Sequence, residues 1–284
     1  MRASGKRFGP RRAAAILCLG LALAVAAGGT VYAVYVEPRR AVVVSTSLTI
    51  PCLPRELSGL RLVQLSDLHL GSNVDRELVR AGFAQALTLE PDLIVLTGDY
   101  VSSLANGEAA ALEAELARLA APLGVYAVLG NHDHWADENV VAEAIRRSGV
   151  TLLRNEAVAL RRGEGVLYLA GVDDYWERRA DLGRALADVP PAGCVVLLAH
   201  EPDYADEVAR DGRVALQLSG HSHGGQVRLP GLPPVLPRHA KRYPEGLRQV
   251  GSLSVYTNRG LGLAGLPVRF NCPPEITLLE LRAP

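Results

Sequence analysis

The chain has 284 residues, of which 49% are hydrophobic and 21% charged, and its 30 Lys and Arg balance its 30 Asp and Glu. This composition excludes an intrinsically disordered chain, and the zero formal charge provides no overall field to draw nucleic acid or another polyanion. Four cysteines in a chain of this length do not make a disulfide framework, so a buried apolar core must hold the fold.

From Ala13 to Val36 no residue is charged. As a helix that run extends ~36 Å, enough to cross the hydrocarbon core of a bilayer. Arg2, Lys6, Arg7, Arg11 and Arg12 precede it without an acid, which by the positive-inside bias keeps the N-terminus cytoplasmic and sends the rest outward. Residues 1–37 therefore read as a basic flank with a transmembrane or signal-anchor segment, and residues 38–284 as a single extracytoplasmic domain. The run is longer than an ordinary signal core, which favours a retained anchor over cleavage near Ala24 to Ala26. The Arg11-Arg12 pair also resembles a twin-arginine export signal, although Ala14 and Ala15 stand where such signals carry a bulky apolar pair. Cys18 and Cys194 lie in apolar runs and read as small hydrophobes. Cys52 and Cys272 are the two available to pair, with nothing in the sequence to bring them together.

Beyond residue 54 the chain alternates short apolar runs with alanine- and leucine-rich helical patterns. Strands are predicted at 60–65, 93–96 and 125–129, and helices at 76–90, 108–120 and 139–148. Residues 151–153 form a short strand. The runs 157–160 and 166–170 flank Arg161-Arg-Gly-Glu-Gly165 and predict a hairpin, which introduces antiparallel pairing. Further strands are predicted at 194–199, 214–218, 226–229, 253–257 and 275–281, with residues 230–244 as a proline-dense loop. The fold class is α+β with α/β-like stretches: two sheets face to face with helices outside.

Five of these strands end in metal-binding residue types: Asp67 and His69, Asp99, Asn131 and His132, His200, and the pair His221 and His223. Read as an extended segment, residues 221 and 223 point to one side, so both imidazoles face a single point. Each motif alone has a plain structural reading, Asp67 as a turn acid, Asn131-His132-Asp133 as a helix cap and His200 as a satisfied core histidine. Yet five of the seven histidines fall at strand ends, where ligands converge in α/β sheets. The donors are oxygen and nitrogen without thiolate, which suits two divalent ions, manganese first, with iron or zinc as alternatives.

In this order, Asp67-Leu-His69, Gly98-Asp99, Gly130-Asn-His-Asp133, His200 and Gly220-His-Ser-His223 resemble the motif set of the calcineurin-like metallophosphoesterases. The segments after the last motif, Gly224-Gly-Gln-Val227, Asn258-Arg-Gly260 and 269–276, together with the N-terminal segment, resemble the bacterial YkuE/YaeI-type branch, membrane-associated or exported. The resemblance implies a four-layer αββα sandwich of two mixed sheets. It implies one ion on Asp67, His69, Asp99 and His223, and a second on Asp99, Asn131, His200 and His221, with Asp99 between them. It further implies that a hydroxide bridging the ions attacks phosphorus while His132 assists the leaving group, with Asp133 helping to keep His132 protonated. The expected substrate is a phosphate ester, a diester before a monoester, with a lipid-linked phosphate or pyrophosphate within reach of a membrane anchor. Alternative readings are a membrane-tethered scaffold without turnover and a nuclease, the latter disfavoured by the absence of a basic excess.

Overall fold

The computed structural model describes residues 10–71, 74, 76–105 and 107–284. Arg2, Lys6 and Arg7 of the basic flank lie outside these residues. The chain begins with α1 (Pro10–Val31), prolonged by a π turn (Tyr32–Val36) and a 3-10 turn (Glu37–Arg39). Among the described residues, Ala14–Arg39 is the one helical run long and apolar enough to cross a membrane. Its Leu17, Leu19, Leu21 and Leu23 are all exposed, so the helix is apolar on surfaces that no other part of the chain covers. Its end is tied to the folded body. Arg269 N donates to Ala33 O at 2.9 Å, and the buried Glu37 carboxylate accepts from Asn271 N and Cys272 N at 2.9 and 2.5 Å.

The body runs β1 (Val42–Thr49), β2 (Leu60–Leu65), α2 (Arg76–Leu87), β3 (Leu93–Thr97), α3 (Glu108–Leu116), β4 (Val125–Val128), α4 (Asn131–Arg147) and β5 (Thr151–Leu152). It continues with β6 (Glu156–Arg162), β7 (Gly165–Gly171), α5 (Leu182–Ala185), β8 (Val195–Leu198), α6 (Ala205–Asp211), β9 (Val214–Ser219), β10 (Gly246–Val250), β11 (Leu253–Thr257) and β12 (Glu275–Arg282). Two six-stranded mixed sheets result, ordered β1-β12-β2-β3-β4-β5 and β10-β11-β9-β8-β7-β6. Strand alternation separates their faces: in β2, Leu60 and Leu62 point between the sheets while Val63 and Leu65 meet the outer helices. Three apolar cores follow. One lies between sheet and helices α2 to α4 around Phe83, Leu112 and Ile145; a second lies between the sheets around Leu62, Leu169 and Leu216; a third lies under α5 and α6 around Leu197 and Val208. Helix, sheet, sheet and helix make the expected four layers.

Several local expectations are corrected. Residues 226–229 form no strand; only Val227 bridges Phe270, because Pro230 and Pro233 prevent a continued ladder. The helix expected at 139–148 begins at Asn131, with extended backbone at Asp137 (φ 179°) dividing it. β1 and β10 were not foreseen.

The cysteines also pair differently. Cys194 is not a mere small hydrophobe; it is bonded to Cys52 across 142 residues, their Cα atoms 5.2 Å apart, while Cys272 stays free and buried. The bridge ties the turn after β1 in one sheet to the start of β8 in the other, and closing so long a loop stabilises by about 2–4 kcal/mol. Denatured, unreduced protein is expected to show two reactive thiols, those of Cys18 and Cys272, and four after reduction. Thiol titration checks this, and four thiols without reductant would exclude the bridge.

Candidate metal centre

The carboxyl ends of β2, β3 and β4 in one sheet and of β8 and β9 in the other converge on a single crevice. The backbone there is unusual. Asp67, His69, Asp99, His221 and His223 all have left-handed φ, at 52°, 48°, 58°, 67° and 48°. Such a conformation is disfavoured for residues with a Cβ and persists only where the surroundings hold it. His221 and His223 are therefore not neighbours on an extended segment, as their spacing suggested. They converge because the chain turns through Ser222 and a 3-10 turn (His223–Gly225) directly after β9. Glycine is required at two close approaches: a Cβ on Gly98 (φ 92°) would lie 2.6 Å from His200 Nδ1, and one on Gly220 would strike the Ser66 hydroxyl.

Two clusters of ligand atoms form. Asp67, His69 and His223 meet in one and Asp99, His200 and His221 in the other, with the atoms of each cluster within 4.8 Å of one another. Asp99 also clusters with His69 and His132, so one carboxylate faces both sides. Its Oδ2 lies 3.5 Å from His69 Nε2 and 3.2 Å from His200 Nε2, while Oδ1 accepts the backbone N–H of His132 at 2.9 Å. In the first cluster, His223 Nε2 is 3.3 Å from Asp67 Oδ1 and 3.0 Å from His69 Nε2. In the second, His221 Nδ1 faces His200 Nε2 at 3.2 Å.

Carbonyl groups set the imidazole tautomers of the second cluster. His200 Nδ1–H donates to Thr97 O at 2.6 Å, leaving Nε2 for the site, and His221 Nε2–H donates to Arg238 O at 2.8 Å, leaving Nδ1. The two site-facing nitrogens lie 3.2 Å apart, and without metal His200 Nε2 holds a proton shared with Asp99 Oδ2 at 3.2 Å, the position that a bound cation would take over. Asn131 supplies the clearest sign: it is 1% exposed and its Oδ1 has no partner. An oxygen buried without a donor is costly, and a bound ion satisfies it. The donor set thus fits divalent metal.

The electrostatics agree. Burial alone would raise the Asp99 carboxyl, but attraction to His200, a hydrogen bond from it and attraction to His69 hold it well below the usual range. Asp67 is treated alike: burial opposes ionisation, and His223 beside it outweighs that and lowers the group. Burial pushes His69 and His221 down to about 3, which leaves their ring nitrogens as neutral donors. His200 is raised despite burial because Asp99 adjoins it.

All seven predicted ligands meet in this crevice, and His132 joins them, its ring 4.7 Å from that of His69. Asp133 does not serve His132. It is fully buried and accepts the backbone N–H groups of Asp99, Tyr100 and Gly130 at 2.9, 2.8 and 2.9 Å, so it clamps the Asp99 loop onto α4. Burial together with repulsion from Asp99 pushes its pKa up to about 7. His134, two residues after His132, is not among the residues lining the cavity; its ring nitrogens lie 2.8 Å from Asp173 Oδ1 and 2.6 Å from Glu138 Oε2.

Sequence reasoning missed the walls of the crevice. Trp135 packs at a tilt of 56° against His132, ring centroids 4.8 Å apart, and meets Trp176 at 5.6 Å, and the Arg238 guanidinium lies 5.9 Å from the centre of the Trp176 ring. Trp135, three residues after His132, was within reach of the motif; Trp176 and Arg238 come from distant loops. Arg269, wholly buried, places its guanidinium 3.5 Å from His223 Nδ1 and donates to the carbonyls of Gly260 and Gly262.

Sheet order and site together define a dinuclear metallophosphoesterase, and comparison with known proteins agrees. The family model for calcineurin-like phosphoesterases matches residues 60–225, and the chain belongs to that family. It is 36% identical over 262 residues to the uncharacterized metallophosphoesterase YkuE of Bacillus subtilis, with 91% of each chain covered. It is also 36% identical over 227 residues to phosphodiesterase YaeI of Escherichia coli, covering 78% of this chain and 82% of that one. The solved structure of the sulfate thiohydrolase SoxB of Thermus thermophilus superposes with a TM-score of 0.50 at 15% identity, over 72% of this chain and 52% of that chain, a likeness of fold alone. The protein is a hydrolase of phosphate esters that works with a dinuclear metal centre.

Proposed function

We propose a membrane-anchored phosphodiesterase in which Asp67, His69, Asp99 and His223 hold one ion and Asp99, Asn131, His200 and His221 hold the other. The observation that carries this reading is the position of Asp99, whose single carboxylate faces both ligand clusters. The all-oxygen and nitrogen donor set favours manganese, with iron or zinc next. When bound, such ions lower the pKa of water and neutralise charge on the phosphoryl oxygens. The chain's own residues do the rest. Asp133 fixes the Asp99 loop, Thr97 and Arg238 fix two imidazoles, and His132, borne on the first turn of α4, is free to protonate the leaving oxygen.

A diester is favoured over a monoester because the cavity of about 580 Å³ is lined, beside the metal ligands, by an aromatic pair, Trp135 and Trp176, and by an aliphatic arm that includes Leu229, Leu232, Val235 and Leu266, which suits two organic groups on one phosphorus. The name of YaeI supports the same preference. Nucleic acid is not proposed: the chain has no basic excess, and Arg228 and Arg242, at either end of the proline-dense loop, are paired with Glu245 and Asp206.

Residues 1–37 are proposed as an uncleaved anchor with residues 38–284 outside the cytoplasm, supported by the basic flank and by a disulfide, which persists in oxidising compartments. A reporter fused after Pro284 is expected to be active only outside; cytoplasmic activity alone would reverse the topology. For the chemistry, metal-depleted full-length protein is reloaded with manganese, zinc or magnesium and assayed on bis(nitrophenyl) phosphate and nitrophenyl phosphate side by side. The expected result is about two ions per chain and faster diester cleavage. No ion, or one held without His221 and His223, would sink the assignment.

A further inference from the structure

The aliphatic arm of the cavity lies open. Leu229, Leu232, Val235 and Leu266 border it and are 49%, 62%, 88% and 71% exposed. Side chains of this kind, gathered beside a reaction centre, mark a surface that meets an apolar partner. The same segment that carries Leu266 and Val268 into the cavity also holds the end of α1. Arg269 N donates to Ala33 O at 2.9 Å, and Leu263 and Pro267 share a crevice with Val34, Tyr35 and Pro38. The arm therefore lies beside the point where the apolar helix leaves the folded body. With α1 in a bilayer, residues 263–269 sit at the membrane surface, and the open arm faces the level at which lipid chains begin.

We propose that this arm receives the hydrocarbon chain of an amphiphilic phosphodiester held in the membrane, so that the phosphorus reaches the metal ligands while the second substituent lies against Trp135 and Trp176. The proposal rests on reading the centre as a phosphodiesterase site. The occupant is an alkyl chain because Leu229, Leu232, Val235, Leu266 and Val268 supply this part of the lining, the mouth adjoins the membrane helix, and Trp135 and Trp176, the latter with the Arg238 guanidinium over its ring, suit a polar headgroup. Leu232 and Leu266 are exposed, so aspartate at both positions removes the apolar lining without disturbing the core.

The experiment has a binding arm and a turnover arm, both on full-length, metal-loaded protein in phosphatidylcholine vesicles. Trp135 and Trp176 are the chain's two tryptophans and both border the cavity, so intrinsic fluorescence reports its occupancy. Butyl, hexyl and octyl phosphate are titrated against wild type and the Leu232→Asp/Leu266→Asp variant. Each added methylene is expected to tighten binding to wild type by up to about fourfold, and the variant is expected to bind butyl phosphate nearly as well but to lose most of that slope. Partition into the bilayer is common to both proteins, so equal slopes would overturn the proposal. A change of oligomeric state in the variant with the slope retained would show that a second copy covers the arm, and would overturn it too. Butyl and octyl nitrophenyl phosphate supply the turnover arm. Cleavage of both without chain-length preference, in a protein whose binding slope equals the variant's, removes the alkyl site and leaves the phosphodiesterase reading. Binding with the expected slope and no cleavage of either ester removes that reading and leaves the alkyl site.

Discussion

Asp99→Ala is expected to abolish hydrolysis of both diester and monoester and to lower bound metal from about two ions per chain to one or none. The carboxylate is the one group placed toward both clusters, 3.5 Å from His69 Nε2 and 3.2 Å from His200 Nε2. Without it, the predicted ligands retain one acid, Asp67, and an asparagine oxygen against two divalent charges. Losing an outer partner of a metal ligand already costs about 10–100-fold in affinity, so loss of a shared ligand must exceed that. Asp99→Asn keeps an acceptor for the His132 N–H, whose bond to Oδ1 is 2.9 Å, but removes the charge. Its metal loss should lie between wild type and Asp99→Ala. Elemental analysis of dialysed protein, with circular dichroism to verify folding, measures this. Two ions retained in folded Asp99→Ala would show that the clusters bind independently.

How far the centre was legible depends on what each residue's position required. The strands ending before Asp99 and His200 are fully buried and mainly apolar, and those before Asp67 and His221 are nearly so, each interrupted by a glutamine; a sequence displays such runs directly, and ligand-type residues at their ends stand out against them. The convergence of His221 and His223 was legible but its route was not, since alternation along a strand says nothing of a left-handed turn at both residues. β1 escaped because Ser45, Thr46 and Ser47 break its apolar pattern and half its side chains face out; its parallel pairing with β12 comes from the far end of the chain. The Cys52–Cys194 bridge escaped for the same reason, being a fact of sheet-to-sheet packing and not of spacing. Asp133 was assigned to His132 because it follows in sequence. In a helix, adjacent side chains do not face one another, and its carboxylate turned instead to the Asp99 loop. Trp176, Arg238 and Arg269 lie on loops whose approach to the site is fixed by both sheets at once.

His132→Ala tests the division of labour within the site. Its ring lies 4.7 Å from His69 and 4.8 Å from Trp135, close enough to the ligands to join a cluster with His69 and Asp99, yet it borders the open cavity. If it serves the substrate, the variant keeps both ions, since every other predicted ligand remains and the His132 backbone N–H to Asp99 is unaffected by the substitution. Turnover on an ester with a poor leaving group should then fall by roughly 10²–10⁴-fold, the usual contribution of general acid catalysis. Nitrophenolate departs with little help from a proton, so the loss on a nitrophenyl ester should be far smaller. A role in holding metal predicts the opposite pattern, with equal losses for good and poor leaving groups and ions released in parallel. The ratio of the two losses, measured beside metal content on the same preparation, decides between them, and a ratio near one would make His132 a ligand.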